Sequence, residues 1–220
     1  MKFLEITLPV QDPSRWVSWM SEHLETPPAG DRAVTVGWTT LRFDVPPSPD
    51  PAAGRGHHLA FTVPTGTIGD AAGDVEAATG RPLLDDDGVT LIERGGNWAS
   101  RSVYFTGPEN SVLELIEHTD RAAPETPSGK DGPVLLGVAE IGRGVPDVAE
   151  AGDDLAARYG EALPHGFGDP GRHVIAAYGD IDGAVVLARD DRPWYPTDDI
   201  LPVTAGAQFV IGRRGDADRT

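Results

Sequence analysis

The sequence predicts an α+β fold assembled from repeated modules, and three observations predict it. The first is an internal repeat: Glu5-Ile6 through Val10 and Asp12 recur, 135 positions later, as Glu140-Ile141 through Val145 and Asp147. The second is the helix that follows each copy. Asp12 reads as an N-cap with Pro13 at the first helical position, and Trp16, Val17, Met20 and Leu24 share one apolar face. Asp147 caps its counterpart, which carries Val148, Leu155, Ala156 and Tyr159. The third is the set of short apolar runs after each helix, so both copies read as strand, helix, strands.

Taken in order, module one runs over about 2–45, with strands around 33–37 and 39–45. Residues 46–56, rich in proline and glycine, form a loop that delivers the chain to His57. Module two takes 57–118, with a helix near 70–78 and strands near 89–94, 101–106 and 111–117. Pro124, Pro127, Gly129, Gly132 and Pro133 leave no hydrophobic periodicity in 119–133, which reads as a linker. Module three covers roughly 134–190, with strands near 173–178 and 184–189. Residues 207–211 fit the opening strand of a fourth module that is never completed, with Gln208 standing where His58 stands. The expected organisation is a first domain of two modules at 1–118, the linker, a second and incomplete domain at 134–212, and a polar tail at 213–220. The incomplete half either packs on the first or completes its sheet against another subunit, as a homodimer.

Composition narrows the functions open to the chain. Its 220 residues hold 18 basic and 35 acidic side chains, a net charge of -17, and Lys2 and Lys130 are the only lysines. Such a charge repels phosphate backbones and anionic lipid, so nucleic acid and membrane are not expected as partners. The absence of cysteine removes disulfides, thiolate metal sites and cysteine nucleophiles. Lys2 and Glu5 interrupt the N-terminal apolar run and no small-residue cleavage site follows, so it does not read as a signal peptide. No apolar run approaches the ~20 residues that span a bilayer, and a cytoplasmic location is expected. There is no Walker loop, dinucleotide fingerprint or nucleophile elbow, and no organic cofactor is expected.

The chemistry concentrates in module two. Alternation over 58–63 puts His58, Ala60 and Thr62 on one face and Leu59, Phe61 and Val63 on the other. In the last strand Glu114 shares its face with Val112 and Ile116, which makes it a buried carboxylate in need of a cation. Two partners fit. A four-residue hairpin loop over 107–110 sets Val103 opposite Glu114 and makes Arg101 its diagonal neighbour, giving an ion pair. Alternatively, Glu114, His58 and a third group hold a divalent metal. His57 points to the opposite face from His58, while His23, His118, His165 and His173 sit at element ends or in loops and read as surface residues. The run Arg192-Pro193-Trp194-Tyr195-Pro196-Thr197 either caps a pocket or is a rigid connection whose aromatics cover a domain interface.

The pattern His-x-Ala-Phe-x-Val at 58–63, followed by Tyr-Phe-x-Gly-Pro-x-Asn-x-Val-x-Glu-Leu at 104–115, resembles the vicinal oxygen chelate superfamily. That group includes glyoxalase I, extradiol dioxygenases and the bleomycin-resistance proteins. The resemblance covers residues 1–118 well and the remainder more weakly. It implies paired βαβββ modules forming cupped mixed sheets, with metal ligands from the first and last strands of the modules. Glu5 then takes a first-strand ligand position, and Glu5, His58 and Glu114 form a one-histidine, two-carboxylate site. Glu5 otherwise pairs with Arg42 or Arg101. Oxygen-rich ligation favours manganese, iron or magnesium over a tight zinc site, and the candidate ions to load are manganese, iron, nickel and zinc. Glu140 repeats Glu5 without a histidine beside it, so the second half is expected to be structural.

The function implied is a metal-dependent lyase, isomerase or ring-cleaving dioxygenase acting on a small molecule with vicinal oxygens. Glu114 would be the catalytic base as well as a ligand, and Arg101, Trp98 and Tyr104 would bind substrate. The alternative is a metal-free binding or resistance protein in which Arg101 neutralises Glu114 and Trp98, Tyr104 and Trp194 stack on the ligand.

Overall fold

The computed structural model describes residues 1–46, 54–119, 133–169 and 174–212. Most of the linker, the polar tail and His173 lie outside these residues.

Module one is β1 (Lys2–Pro9), α1 (Pro13–His23), β2 (Ala33–Val36) and β3 (Thr39–Asp44). The predicted cap is formed: an Asp12 carboxylate oxygen accepts from the Arg15 amide at 3.0 Å, and Trp16 and Met20 bury the inner face of the helix. A two-residue strand, β4 (Arg55–Gly56), then leads into module two. That module is β5 (His58–Thr62), α2 (Ile68–Thr79), β6 (Ile92–Arg94), β7 (Ser100–Thr106) and β8 (Val112–His118). Module three is β9 (Gly137–Val145), α3 (Val148–Tyr159), β10 (His165–Gly168), β11 (Ile175–Asp180) and β12 (Gly183–Arg189). Asp147 caps α3 through the amides of Ala149 and Glu150. Two strands close the described chain, β13 (Leu201–Pro202), which pairs with β4, and β14 (Gln208–Gly212).

Modules two and three form one eight-stranded sheet in the order β10-β11-β12-β9-β5-β8-β7-β6. Each contributes its strands in the sequence first, last, third, second, and the two first strands, β5 and β9, meet antiparallel at the seam. A sheet so ordered curls around its seam, and its concave face is lined from both modules. Module one lies in a separate sheet, β14-β1-β3-β2. There β14 runs antiparallel to β1 just as β9 runs to β5, so the lone strand predicted at 207–211 closes within the chain. The helices and the convex faces enclose the main apolar core, with Phe3, Trp16, Phe43, Phe61, Phe105 and Leu115 among its buried side chains.

Two expectations change here. The cup is built from modules two and three, where the repeat suggested modules one and two. Because β1 and β9 carry nearly the same motif, the motif alone does not say which of them lies against β5. The second change is the β7–β8 hairpin. Its loop holds five residues, because the Gly107 amide donates to the Ser111 carbonyl and the Ser111 amide to the Pro108 carbonyl. Tyr104, rather than Val103, therefore faces Glu114, and Arg101 faces Glu117. One residue of register moves a side chain to the other face of a sheet. Arg101 accordingly lies on the convex side, where its Nε donates to Glu117 Oε1 at 3.0 Å. The other oxygen of Glu117 accepts from the Gly66 and Ile68 amides and anchors the start of α2. Among the described residues no helix is long and apolar enough to cross a membrane.

Candidate metal centre

Three adjacent strands, β8, β5 and β9, set Glu114, Ala60 and Glu140 in one row across the sheet. Ala60 offers only a methyl group, so the two longer carboxylate side chains lean together above it. His58 lies one pleat along β5 on the same face. A register irregularity in the β5–β9 pairing falls next to Ala60, and bulges of this kind re-aim side chains near sites.

His58 Nε2 lies 3.5 Å from Glu114 Oε2 and 3.6 Å from Glu140 Oε2. One ligand atom from each of the three residues lies within 4.8 Å of the others, and all three residues are buried. Support around them fixes their orientation. His58 Nδ1 is 3.1 Å from the Val112 carbonyl, so it carries the proton donated there, and in the neutral ring the Nε2 lone pair is presented to the carboxylates. Trp98 Nε1 donates to Glu140 Oε1 at 3.3 Å, leaving Oε2 turned toward His58. The Trp194 ring lies against His58 with centroids 5.1 Å apart, held by a bond from its Nε1 to the Gly56 carbonyl.

The electrostatics of the group are those of a site short of positive charge. Burial and the neighbouring Glu140 push Glu114 up to about 7, with His58 opposing them. Burial alone would lower His58, but its contact with Glu140 and the charges of Glu114 and Glu140 outweigh that and raise it. Even with His58 protonated, two carboxylates touch one cation; among the described residues no lysine or arginine comes within ion-pair distance of either, and Arg94 acts on Glu114 only from beyond it. A divalent cation with neutral His58 balances the charge. The donor set, one imidazole nitrogen and two carboxylates with the other directions facing a cavity, fits such an ion.

The cavity measures about 730 Å³ and opens from the triad between walls of Trp98, Tyr104, Phe167, Val186, Trp194 and Tyr195. Among the residues singled out from sequence, His58, Glu114, Trp98 and Tyr104 meet here. Glu5 does not: it lies in the other sheet, where its carboxylate meets Arg42 Nε at 2.9 Å near the surface. Arg101 is on the convex face, as described above. Glu140, expected to be structural, takes the position that Glu5 was expected to fill. His118 is also not a surface residue. Strand β8 extends through it, and it is buried with its ring 6.0 Å from that of Trp98.

A signal for Glu140 exists in the sequence, two residues beyond it. Where β1 has Thr7, β9 has Gly142, and a Cβ built there would lie 2.7 Å from the Trp194 ring and 2.8 Å from the His58 Cβ. Only the β9 copy of the repeat leaves room for His58 and Trp194. Gly142→Thr, which copies the module-one residue, is expected to displace both rings and to cost about 1–3 kcal/mol in stability through overpacking. Thermal unfolding and metal titration check this, and unchanged metal affinity with an unchanged melting point would contradict it.

No family profile matches the sequence, and no curated protein matches it. Solved structures do match in fold. A candidate dioxygenase from Bacillus subtilis superposes with a TM-score of 0.57 at 17% identity, over 86% of this chain and 63% of that one. This chain thus spans under two thirds of the Bacillus protein. A mutant of glyoxalase I from Zea mays gives a TM-score of 0.51 at 14% identity, over 86% of this chain and 69% of its own. At these identities the likeness establishes the fold. The chain has an α+β fold of paired βαβββ modules, shared with these structures.

Proposed function

We propose that this protein is a divalent-metal-dependent enzyme that acts on a small molecule with two neighbouring oxygens, with His58, Glu114 and Glu140 as the metal ligands. The observation that carries this is the burial of two carboxylates beside a single imidazole, with Arg101, the one cation expected to neutralise Glu114, on the other side of the sheet. A bound ion of this kind supplies Lewis-acid polarisation of substrate oxygens.

The chain's own residues do the rest. Trp98 holds one oxygen of Glu140, so that its other oxygen keeps its aim. Val112 fixes the tautomer of His58. Tyr104, directly across from Glu114 on the next strand, is kept protonated by burial and by the Glu114 charge, and presents a hydroxyl to the cavity as a hydrogen-bond donor. Glu114, a carboxylate at a ligand position that faces the cavity, can accept a proton from a substrate carbon or hydroxyl and return it. The aromatic walls exclude water and hold the apolar part of the ligand. The metal-free binding reading loses the Arg101–Glu114 pair on which it rested.

The proposal is tested by loading the protein separately with manganese, iron, nickel and zinc and then screening vicinal diols with an oxygen electrode and thiohemiacetals by absorbance. The expected result is about one ion per chain and turnover of one substrate class. A protein that takes up no ion under any condition would contradict the metal assignment; one that binds an ion and turns over neither class would contradict the reaction class.

A further inference from the structure

At the mouth of the cavity, beyond ion-pair distance of the triad carboxylates, two arginines stand together. Arg94 ends β6 and Arg192 begins the segment that carries Trp194 and Tyr195; both line the same cavity as the triad. The Arg94 guanidinium lies 5.4 Å from the centre of the Tyr195 ring, which backs it. Arg192 has one long bond to its neighbour's carbonyl, 3.5 Å to Pro193. Among the described residues neither arginine has a carboxylate within ion-pair distance, whereas Arg32, Arg42, Arg101 and Arg189 each have one. What sets these two apart from the other arginines without an ion pair is that they stand side by side on the wall of the same cavity as the triad.

The acids that share the rim do not serve them. The carboxylate of Asp86 accepts from the Tyr195 hydroxyl at 3.0 Å, and Glu93 forms no ion pair with either arginine. Arg192 is held below the usual arginine range by burial and by the charge of Arg94, which is what two like charges at close quarters produce. Arg94 also donates to the Tyr104 hydroxyl; a guanidinium carries five N–H donors, so both arginines keep donors for a planar or tetrahedral anion.

We propose that Arg94 and Arg192 form an anion subsite, so that the substrate carries a carboxylate or phosphate at the cavity mouth and its vicinal oxygens at the buried end. This rests on the metal-enzyme reading for the buried end only; the subsite itself is independent of it.

The test is calorimetric titration of the protein as purified with inorganic phosphate and, separately, with benzoate, alongside Arg94→Gln and Arg192→Gln, with metal content measured in the same samples. The expected result is saturable binding of at least one of the two anions, weakened about tenfold by either substitution, with metal content and melting point unchanged. Preference between phosphate and benzoate then tells which anion the subsite takes. No saturable binding of either, or binding that both substitutions leave intact, overturns the proposal. Loss of metal from the unsubstituted protein with arginine-dependent anion binding retained would instead count against the metal reading alone.

Discussion

Glu140→Gln is expected to act in opposite directions on the metal-free and the metal-loaded protein. In the metal-free form Glu140 is one of two buried carboxylates that share a single histidine, and its charge is one of the forces raising Glu114. Glutamine keeps the shape and an oxygen for the Trp98 donor, while removing the like-charge repulsion. The metal-free variant is therefore expected to be more stable at pH 8, by about 1–3 kcal/mol, in line with replacements of other buried ionic groups. In the loaded form the same change removes a charged ligand, and affinity for the ion is expected to fall by about 100-fold or more. Calorimetric melting in the presence of chelator and direct metal titration read the two effects. A variant that is less stable without metal and still binds the ion would show that Glu140 is a structural partner of Trp98 and nothing else.

The second large effect is on pH dependence, and it reverses the usual behaviour of a carboxylate. A glutamate held by an arginine titrates low in the folded protein and contributes stability that is lost in acid; Glu117 beside Arg101 is of this kind. Glu114 is the opposite case, raised to about 7 from an ordinary 4.5. Between those values the folded state holds a proton that the unfolded state has released, so stability falls as pH rises through this range and is fully diminished above about 7. His58, also raised, contributes stability that is present below its ordinary value of 6.5 and is lost as pH rises through its folded value. Both groups act in the same direction. The metal-free protein is expected to be less stable at pH 8 than at pH 5 by about 2–3 kcal/mol from the shared titration of Glu114 with its neighbours. The stabilisation that Glu117 loses in acid falls below its ordinary value of 4.5, outside this range. A divalent ion requires deprotonated ligands, so loading is expected to strengthen as pH rises and to abolish the loss of stability at pH 8. Melting points at the two pH values, with and without chelator, check both statements. A metal-free protein that is more stable at pH 8 would mean that Glu114 is not held neutral by its surroundings.

How much of this was legible in the sequence depends on how far each inference had to reach. His58 and Glu114 come from alternation within single strands, which depends only on neighbours two residues away, and the structure places both on the cavity face. The caps at Asp12 and Asp147 are equally local and are formed. The identity of the third carboxylate depends on which of two similar strands abuts β5, and that is set by steric fit over long sequence separations. Gly142 holds the relevant information, but its meaning appears only once Trp194, fifty-two positions later, is known to fold back onto it. Arg101 was misplaced by a single residue in the length of a turn, since the bond that closes the loop at Ser111 cannot be read from a Gly-Pro motif alone. The neighbourhood of Arg94 and Arg192 is likewise not legible in the sequence: the run from Arg192 is marked by its prolines and aromatics, and only the fold brings it back to the end of β6.

The central claim is that the metal lies in the cup of modules two and three, on His58, Glu114 and Glu140, and not in the sheet of module one. Elemental analysis of purified protein after manganese reloading, comparing the unsubstituted chain with His58→Ala, Glu114→Ala, Glu140→Ala and Glu5→Ala, tests it most directly. The predicted result is about one ion per chain, lost in the first three variants and retained in Glu5→Ala. Retention in Glu140→Ala together with loss in Glu5→Ala would contradict it and return the site to the strands of module one.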